Sequence, residues 1–361
     1  MLNEGIAALE GTPMSRSLCA ALVLSFVAIA AAADQGAVQT LTVTSKALEG
    51  NLTGDPAEQR FAVYTPPGYA AGNARYPVIV LLHGIGDSSD TWLNDFHIAA
   101  MLDRLITSNQ MPPVIVVMPN ARNRFLGSYY LNSPVTGRWS DLIADEIVPM
   151  VDGKFRTLTG PAHRAVLGHS MGGFGAIVFG MTRPDVFGLV YAISPCCLDA
   201  VEDVGIGNVQ AWTTVLTFKG YDDVDAELKK GDFYPVALVG LLAATMPKSG
   251  APLNVEIPVA RVRGELMRVH PAYEDWVARF PVHAVAAHRE NLLKLRLLAL
   301  DVGYDDQFAH IPPSVMSFSR ALFDERIPHR LDVYQGDHRQ KVAARLEQTI
   351  LPLLAKSLAR D

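Results

Sequence analysis

The stretch Gly168-His169-Ser170-Met171-Gly172-Gly173 constrains this chain more than any other. It is a Gly-x-Ser-x-Gly pattern with one further glycine behind it. Residues 162–167 ahead of it read as a buried strand, and residues 174–181 behind it read as a helix rich in small side chains. The serine therefore falls on a sharp strand-to-helix turn. Such a turn holds the serine in a strained backbone conformation and needs neighbours without bulk, which explains the glycines at 168 and 172. It lifts the hydroxyl clear of the sheet edge and sets backbone N–H groups of the new helix beside it. The pattern points to a serine nucleophile.

A neutral hydroxyl is a poor nucleophile near pH 7, so it needs a base in reach and an acid to orient that base. In open α/β sheets the functional atoms gather beyond the carboxyl ends of the strands. His338 lies just past the last apolar strand, in Gly336-Asp337-His338, and is the expected base. His169 should point away from Ser170, His83 ends an early strand and reads as structural, and His310 follows a possible acid and can line a pocket. For the acid, Asp301, Asp305 and Asp306 all lie at or after the strand that begins near Leu295. Asp301 precedes Gly303 and is still inside the strand. Asp306 is displaced past the turn and is the preferred acid, with Asp305 next. The negative oxygen of an acyl-transfer intermediate needs two N–H donors. Met171 N–H supplies one by position, and Ile85 N–H, in His83-Gly84-Ile85-Gly86, is expected to supply the other, ahead of Gly84.

Strands alternate with helices along most of the chain, which predicts a mostly parallel sheet covered on both faces. Residues 41–45 and 61–65 alternate in polarity like antiparallel edge strands, whereas 77–83 and 113–118 are continuous apolar runs, as in strands buried on both sides. A helix is expected over 91–106 and another over 141–155. The regular pattern lapses over about 198–292, an insertion long enough to cap the sheet's C-terminal edge. It returns with a strand near 295–301, a helix over 314–326, a strand over 330–334 and a closing helix over 342–358.

The N-terminus carries Arg16, an apolar run over 20–30 and small residues up to Ala33, the layout of a secretory signal peptide. Met14 reads as the start and Ala33 as the last residue removed, leaving one domain over 34–361. The run is short for a membrane span, so no stable membrane insertion is expected after its removal. This points to a secreted or periplasmic protein. Beyond Cys19 the only cysteines are the adjacent Cys196 and Cys197, read as two buried thiols and not a disulfide scaffold. Neither stands in a metal-ligand spacing, no phosphate-binding glycine loop occurs, and no metal or cofactor is expected. The net charge of −6 with no basic stripe argues against a nucleic-acid partner. Oligomeric state is not legible.

Residues 81–87, 168–173, 303–306 and 336–338 together resemble the esterase D-type family of α/β-hydrolases, and the order Ser, Asp, His matches that fold. Residues 127–133 and 139–141 are similar to the family's stretch between the fourth strand and the nucleophile. The resemblance runs from about Leu41 to the C-terminus, broken by the insertion. It implies an α/β-hydrolase fold with a helical cap, Ser170 as nucleophile, Asp306 as acid, His338 as base, Ile85 and Met171 as oxyanion donors, and a small-molecule ester as substrate. Arg339-Gln340 after His338 departs from the small or aromatic residues common there. Trp92, Tyr129, Tyr130 and Trp139 are candidate acyl or aryl contacts, each equally suited to the core. The expected function is ester hydrolysis through an acyl-enzyme. Acyl transfer to a sugar or lipid alcohol by the same triad is the alternative, and a non-catalytic binding role on the same fold is the remote one.

Overall fold

The structure is a computed structural model and describes residues 35–359. The expected signal segment, with Met14 and Cys19, lies outside the described residues. In chain order the elements that position the site are β1 (Ala37–Thr44), β2 (Glu58–Thr65), β3 (Val78–Leu82), α1 (Ile98–Thr107), β4 (Ile115–Pro119), β5 (Arg164–His169), α2 (Met171–Thr182), β6 (Leu189–Ile193), α3 (Val209–Val215), α4 (Tyr221–Lys230), α5 (Phe233–Thr245), β7 (Leu297–Gly303), α6 (Ile311–Asp324) and β8 (Arg330–Tyr334). The eight strands form one sheet in the order β1-β2-β4-β3-β5-β6-β7-β8. β2 runs antiparallel to both of its neighbours, and every other pairing is parallel.

Successive side chains on a strand face opposite ways. Val78, Val80 and Leu82 therefore enter one core, with Val117, Val166 and the residues of α2, while Ile79 and Leu81 enter the other, with Met101, Leu102 and Leu105 of α1. Both faces of β3, β4 and β5 are covered, which is why their sequences run apolar without alternation. The register aligns strand ends. Leu82 sits opposite Gly168, His169 opposite Ile193, and Gly303 opposite Tyr334. The residues that follow β3, β5, β7 and β8 thus emerge along one rim.

The expected helix over 91–106 is two helices. Ser88 caps Ser89–Asn94 in a capping box with Thr91, and His97, at φ 48°, redirects the chain into α1. Between β6 and β7 the chain builds α3, α4, α5, a hairpin (Val259–Val262 with Glu265–Arg268) and a short helix, Ala272–Val277. The hairpin had no clear signature in the sequence. This segment is docked on the body. Arg124 pairs with Asp225 of α4 at 2.6 Å, and the Tyr129 hydroxyl donates to the Ala237 carbonyl of α5 at 2.9 Å, while Trp212 of α3 meets Trp276 edge-on at 5.4 Å within the segment itself. No helix among the described residues is long and apolar enough to cross a membrane.

Two buried polar groups fix the rim. Asp301, in the middle of β7, accepts from Arg345 Nε at 2.7 Å and from the Tyr191 hydroxyl at 3.1 Å. Its side chain is 0% exposed, so Arg345, on the closing helical run, is what makes a carboxylate tolerable there. His83, at the end of β3, is equally enclosed. Its Nδ1–H donates to the Gly84 carbonyl at 2.7 Å and its Nε2 accepts from Ala121 N–H at 2.8 Å. That pair of roles requires the neutral ring, and burial lowers the ring's pKa to about 4. Asp301 and His83 are therefore structural, as the sequence reading expected.

Burial already pushes the Asp301 carboxyl up to about 6 against the pull of Arg345, so Arg345→Met should drive it to the protonated form and cost about 3–5 kcal/mol in urea unfolding. A loss below about 1 kcal/mol would show that the carboxylate is sustained by other groups. His83 makes a separate prediction. A histidine held neutral in the folded state contributes full stability above its unfolded pKa of about 6.5, and the contribution falls as pH drops toward 4. Between pH 7 and pH 5 the His83 share of the loss should be about 2 kcal/mol. It is read as the difference in slope between the wild-type and His83→Gln stability profiles, and parallel profiles would refute it.

Candidate active site

Ser170 stands between β5 and α2 at φ 58° and ψ −117°. Such a conformation in a residue with a side chain costs on the order of 1–3 kcal/mol and persists only where the surroundings over-determine it. Here they do. Ser170 N–H donates to the Ile193 carbonyl at 2.9 Å, and its own carbonyl accepts from Phe174 N–H at 3.0 Å and Cys196 N–H at 3.2 Å. The turn is also as tight as the backbone permits. A Cβ on Gly168 would lie 2.0 Å from the Gly172 carbonyl oxygen, and one on Gly172 would lie 2.2 Å from the Leu82 carbonyl oxygen.

Asp306 follows β7 and His338 follows β8. Their side chains meet at 2.7 Å between Asp306 Oδ2 and His338 Nδ1, with the carboxylate fully enclosed. The other carboxylate oxygen, Oδ1, accepts from Phe308 N–H at 3.0 Å. The main chain of His338 is held at both ends. Its N–H donates to Gln307 Oε1 at 3.3 Å, and its carbonyl accepts from His169 Nε2 at 2.8 Å. Phe308 lies edge-on to the His338 ring at 4.8 Å. With Nδ1 engaged, Nε2 is the nitrogen left for a substrate or for Ser170. Neither Nε2 nor Ser170 Oγ carries a hydrogen bond among the described residues. Both residues border one cleft, together with Gly84, Ile85, Asp87 and Arg339. Loose serine–histidine geometry of this kind is usual before a substrate tightens it.

The competing acids and histidines are occupied elsewhere. Asp305 is exposed and takes a hydrogen bond from Gln335 Nε2, and Asp301 is tied to Arg345. His169 is turned from Ser170 toward the loop of His338, and burial holds its pKa well below the usual histidine range. His163, His270, His283 and His329 bond to the main chain, to surface carboxylates or to Ser319.

The loop after β3 presses on Ser170. A Cβ on Gly84 would lie 3.4 Å from Ser170 Cβ, and Gly86 reverses the chain at φ 78°. Gly86 N–H donates to the Leu126 carbonyl, and Arg122 holds the Gly86 carbonyl at 2.8 Å. The N–H groups of Ile85 and Met171 have no protein acceptor among the described residues, which leaves both available to an oxyanion. At the outer edge Arg339 binds Asp87 at 3.1 Å and lies over the Phe96 ring. The residue that departs from the family pattern thus forms part of the rim.

An apolar recess opens beside Ser170. Its wall combines Ile85 and Tyr129 with Phe233, Leu238 and Leu241 of α5 and with Phe308. Of the four aromatic residues singled out as candidate contacts, only Tyr129 reaches it. The other three expectations are corrected by packing. Trp92 stacks on Phe96 on the opposite side of the sheet, the Tyr130 hydroxyl is spent on the His83 carbonyl, and Trp139 Nε1–H is spent on the Thr136 carbonyl. The α5 contribution was not foreseen. Its apolar run was visible, but a helix buried all round has no polar face to say which side meets a cavity.

The cavity also holds a polar corner, in which His310 lines the pocket as the sequence suggested; its pairing with Asp203 was not foreseen. Cys196, Cys197 and His310 line it, and His310 Nδ1 meets Asp203 Oδ1 at 2.7 Å. Burial works to lower the His310 pKa, but the pairing with Asp203 outweighs it and lifts the ring to about 9. Asp203 is drawn down to about 2, burial being outweighed by His310 and by the Tyr234 hydroxyl. Both cysteines are buried free thiols, as expected.

Comparison with known proteins agrees with this architecture. Residues 56–345 match the family model described as "Putative esterase". The chain is 30% identical over 130 residues to an endo-1,4-beta-xylanase/feruloyl esterase of Xylanibacter ruminicola, and 34% identical over 118 residues to Esterase MT1326 of Mycobacterium tuberculosis. These matches cover 35% and 32% of this chain but only 18% and 25% of those relatives. Among solved structures, a ferulic acid esterase superposes with a TM-score of 0.60 at 21% identity, covering 90% of this chain and 99% of that one. An S-formylglutathione hydrolase of Agrobacterium tumefaciens superposes at 0.58 with 18% identity, covering 91% and 97%. The parallel sheet, the glycine-bound serine turn and the family match over residues 56–345 lead to one conclusion: the chain belongs to the esterase family of α/β-hydrolases.

Proposed function

We propose that this protein is a serine carboxylic-ester hydrolase that works through Ser170, His338 and Asp306, and that it acts outside the cytoplasm after loss of its first 33 residues. One observation carries the catalytic reading. The buried Asp306–His338 pair, 2.7 Å apart, shares a cleft with a serine held at the head of α2 in a left-handed backbone conformation. The proton on His338 Nδ1 is committed to Asp306, so Nε2 is the basic nitrogen. It takes the Ser170 proton as Oγ attacks the ester carbonyl, and returns that proton to the leaving alcohol. The Ile85 and Met171 N–H groups receive the negative oxygen. Water then attacks the acyl-enzyme with His338 again as base. Loss of one oxyanion donor would cost about 10²–10³ in rate.

The acyl group belongs in the cavity under α5. The wall made by Tyr129, Phe233, Leu238, Leu241 and Phe308 is apolar and partly aromatic. It suits an aryl or extended acyl group better than a formyl or acetyl group, because only the larger groups gain from leaving water there. This agrees with the feruloyl esterase named among the relatives more than with the S-formylglutathione hydrolase.

Ser170→Ala and His338→Ala should each lower kcat by at least about 10⁴-fold on an aryl ester, and the double variant should lose little more. Asp306→Asn should lose most of the activity, while Asp305→Asn keeps it. A fluorophosphonate probe should label the wild-type protein at Ser170 and fail on Ser170→Ala. Absence of labelling in the folded wild-type protein would overturn the reading in favour of a binding role, and acylated acceptor in excess over free acid would make it a transferase.

Specificity gives a separate prediction. Across aryl esters of increasing acyl size, kcat/KM should rise from acetyl to medium-chain and cinnamoyl-type groups. Leu241→Trp should remove about 10-fold or more of that gain while leaving acetyl turnover within about 3-fold. Equal losses on all acyl groups would mean that the cavity does not receive the acyl chain.

A further inference from the structure

The polar corner of the cavity has no part in the proposed hydrolysis, yet it is built. Cys196 and Cys197 follow β6 and His310 precedes α6, and their Sγ, Sγ and Nε2 atoms all lie within 4.8 Å of one another. All three residues are buried. Cys197 Sγ and His310 Nε2 are 4.0 Å apart, the outer limit of a sulfur hydrogen bond. A tetrahedral ion at metal–sulfur and metal–nitrogen distances of about 2.3 and 2.1 Å would need about 3.6 Å between them, so this edge closes by about 0.4 Å and no other by more than about 1.2 Å.

The ring of His310 is aimed by a second layer. Asp203 Oδ1 accepts from both Nδ1 and the backbone N–H of His310, each at 2.7 Å. Its Oδ2 accepts from Ala309 N–H at 3.1 Å and from the Tyr234 hydroxyl. A carboxylate locked in place behind the far nitrogen of a histidine is the arrangement that orients metal-binding imidazoles, since it commits the proton to Nδ1 and turns Nε2 toward the ion. Among the described residues, the partner of Nε2 is Cys197 Sγ, with Cys196 in the same cluster.

We propose that Cys196, Cys197 and His310 form a binding site for a soft divalent cation of the zinc type in the wall of the cavity. Two thiolates and one imidazole select such an ion over magnesium or calcium, which take oxygen ligands. Binding releases the two thiol protons and any proton on Nε2 to solvent and forms two metal–sulfur bonds and one metal–nitrogen bond. No electron changes hands. The cavity that these three residues line is also lined by Ser170, Tyr129 and Leu241. An occupied site therefore narrows the space that the proposed function gives to the acyl group. This consequence rests on that reading, whereas the binding does not. Sequence spacing hides the site because its ligands come from neighbouring residues on one loop and from a histidine 113 residues from Cys197.

The test uses the full-length chain, reduced and freed of metal by a chelator. Titration with Co²⁺ should give one equivalent of a thiolate-to-cobalt charge-transfer band with visible bands of tetrahedral intensity, displaced by Zn²⁺. Cys196→Ala, Cys197→Ala and His310→Gln, each shown folded by circular dichroism, should lose the charge-transfer band or weaken it strongly. Asp203→Asn should lower affinity about 10–100-fold while keeping the same spectrum. In the wild-type protein, stoichiometric Zn²⁺ should protect Cys196 and Cys197 from alkylation, scored by mass spectrometry separately from Cys19. No charge-transfer band, a band that survives the cysteine variants, or full alkylation in the presence of Zn²⁺ would overturn the proposal. If the site binds Zn²⁺ but hydrolysis of a cinnamoyl ester is unchanged, the binding stands and the placement of the acyl group fails.

Discussion

The close approach of α2 to the ends of β3 and β5 is the contact on which the rest of the site depends. It leaves no room for a side chain at Gly168 or Gly172. The payoff is that one turn aims a serine hydroxyl into the cleft and, in the next residue, a free N–H. The cost is the backbone conformation of Ser170, and three main-chain hydrogen bonds to Ile193, Phe174 and Cys196 hold it in place. Those bonds tie the turn to the start of α2 and to the chain leaving β6. The loop that carries the two cysteines is therefore tied to the serine turn, although it is 26 residues away along the chain.

The same economy governs the histidine side of the cleft. His338 sits on a loop, and loops are usually the mobile parts of such proteins. This one is fixed from three directions. Asp306 holds the ring, Gln307 holds the backbone N–H, and His169 holds the carbonyl. His169 precedes Ser170, so the residue that braces His338 and the serine at the turn are neighbours on one strand end. A shift of the turn would move both together, which preserves their relation better than independent supports would.

How far the sequence disclosed this depends on how local the cause is. The serine turn was legible because its glycines, the strand before it and the helix after it lie within about twenty residues. Asp306 and His338 were legible by topology: each follows a strand, and parallel strands deliver their ends to one rim. Choosing Asp306 over Asp305 needed only the position of the turn, and the structure gives Asp306 to His338 and Asp305 to Gln335. The choice between Tyr129 and Tyr130 was not legible. Both have left-handed backbone angles in an irregular loop, with φ near 54° and 55°, so no period assigns their faces. One reaches the cavity and the other disappears beneath it. The Asp203–His310 pair was hidden for a different reason: it joins the insertion to the returning core across 107 residues, and nothing local marks either partner.

That division between legible and hidden residues follows the division of labour in the molecule. Ser170, Asp306 and His338 each follow a strand, and the hydrophobic pattern exposes the order and direction of the strands. The groups that shape the cavity come from the segment between β6 and β7, where α5 is apolar on every side and irregular loops supply the rest. A sheet rim can keep its serine, histidine and acid in register while that segment varies, because α5 touches the body chiefly through side-chain packing and single bonds such as Tyr129 to Ala237. Specificity in a fold of this kind is therefore free to change with little cost to the reaction geometry, and it must be read from packing and not from motifs. The corner formed by Cys196, Cys197 and His310 lies on the boundary between the two. Its cysteines leave a core strand beside Ser170, and its histidine is aimed by a carboxylate of the insertion, so an ion bound there would touch both the cavity wall and the serine turn.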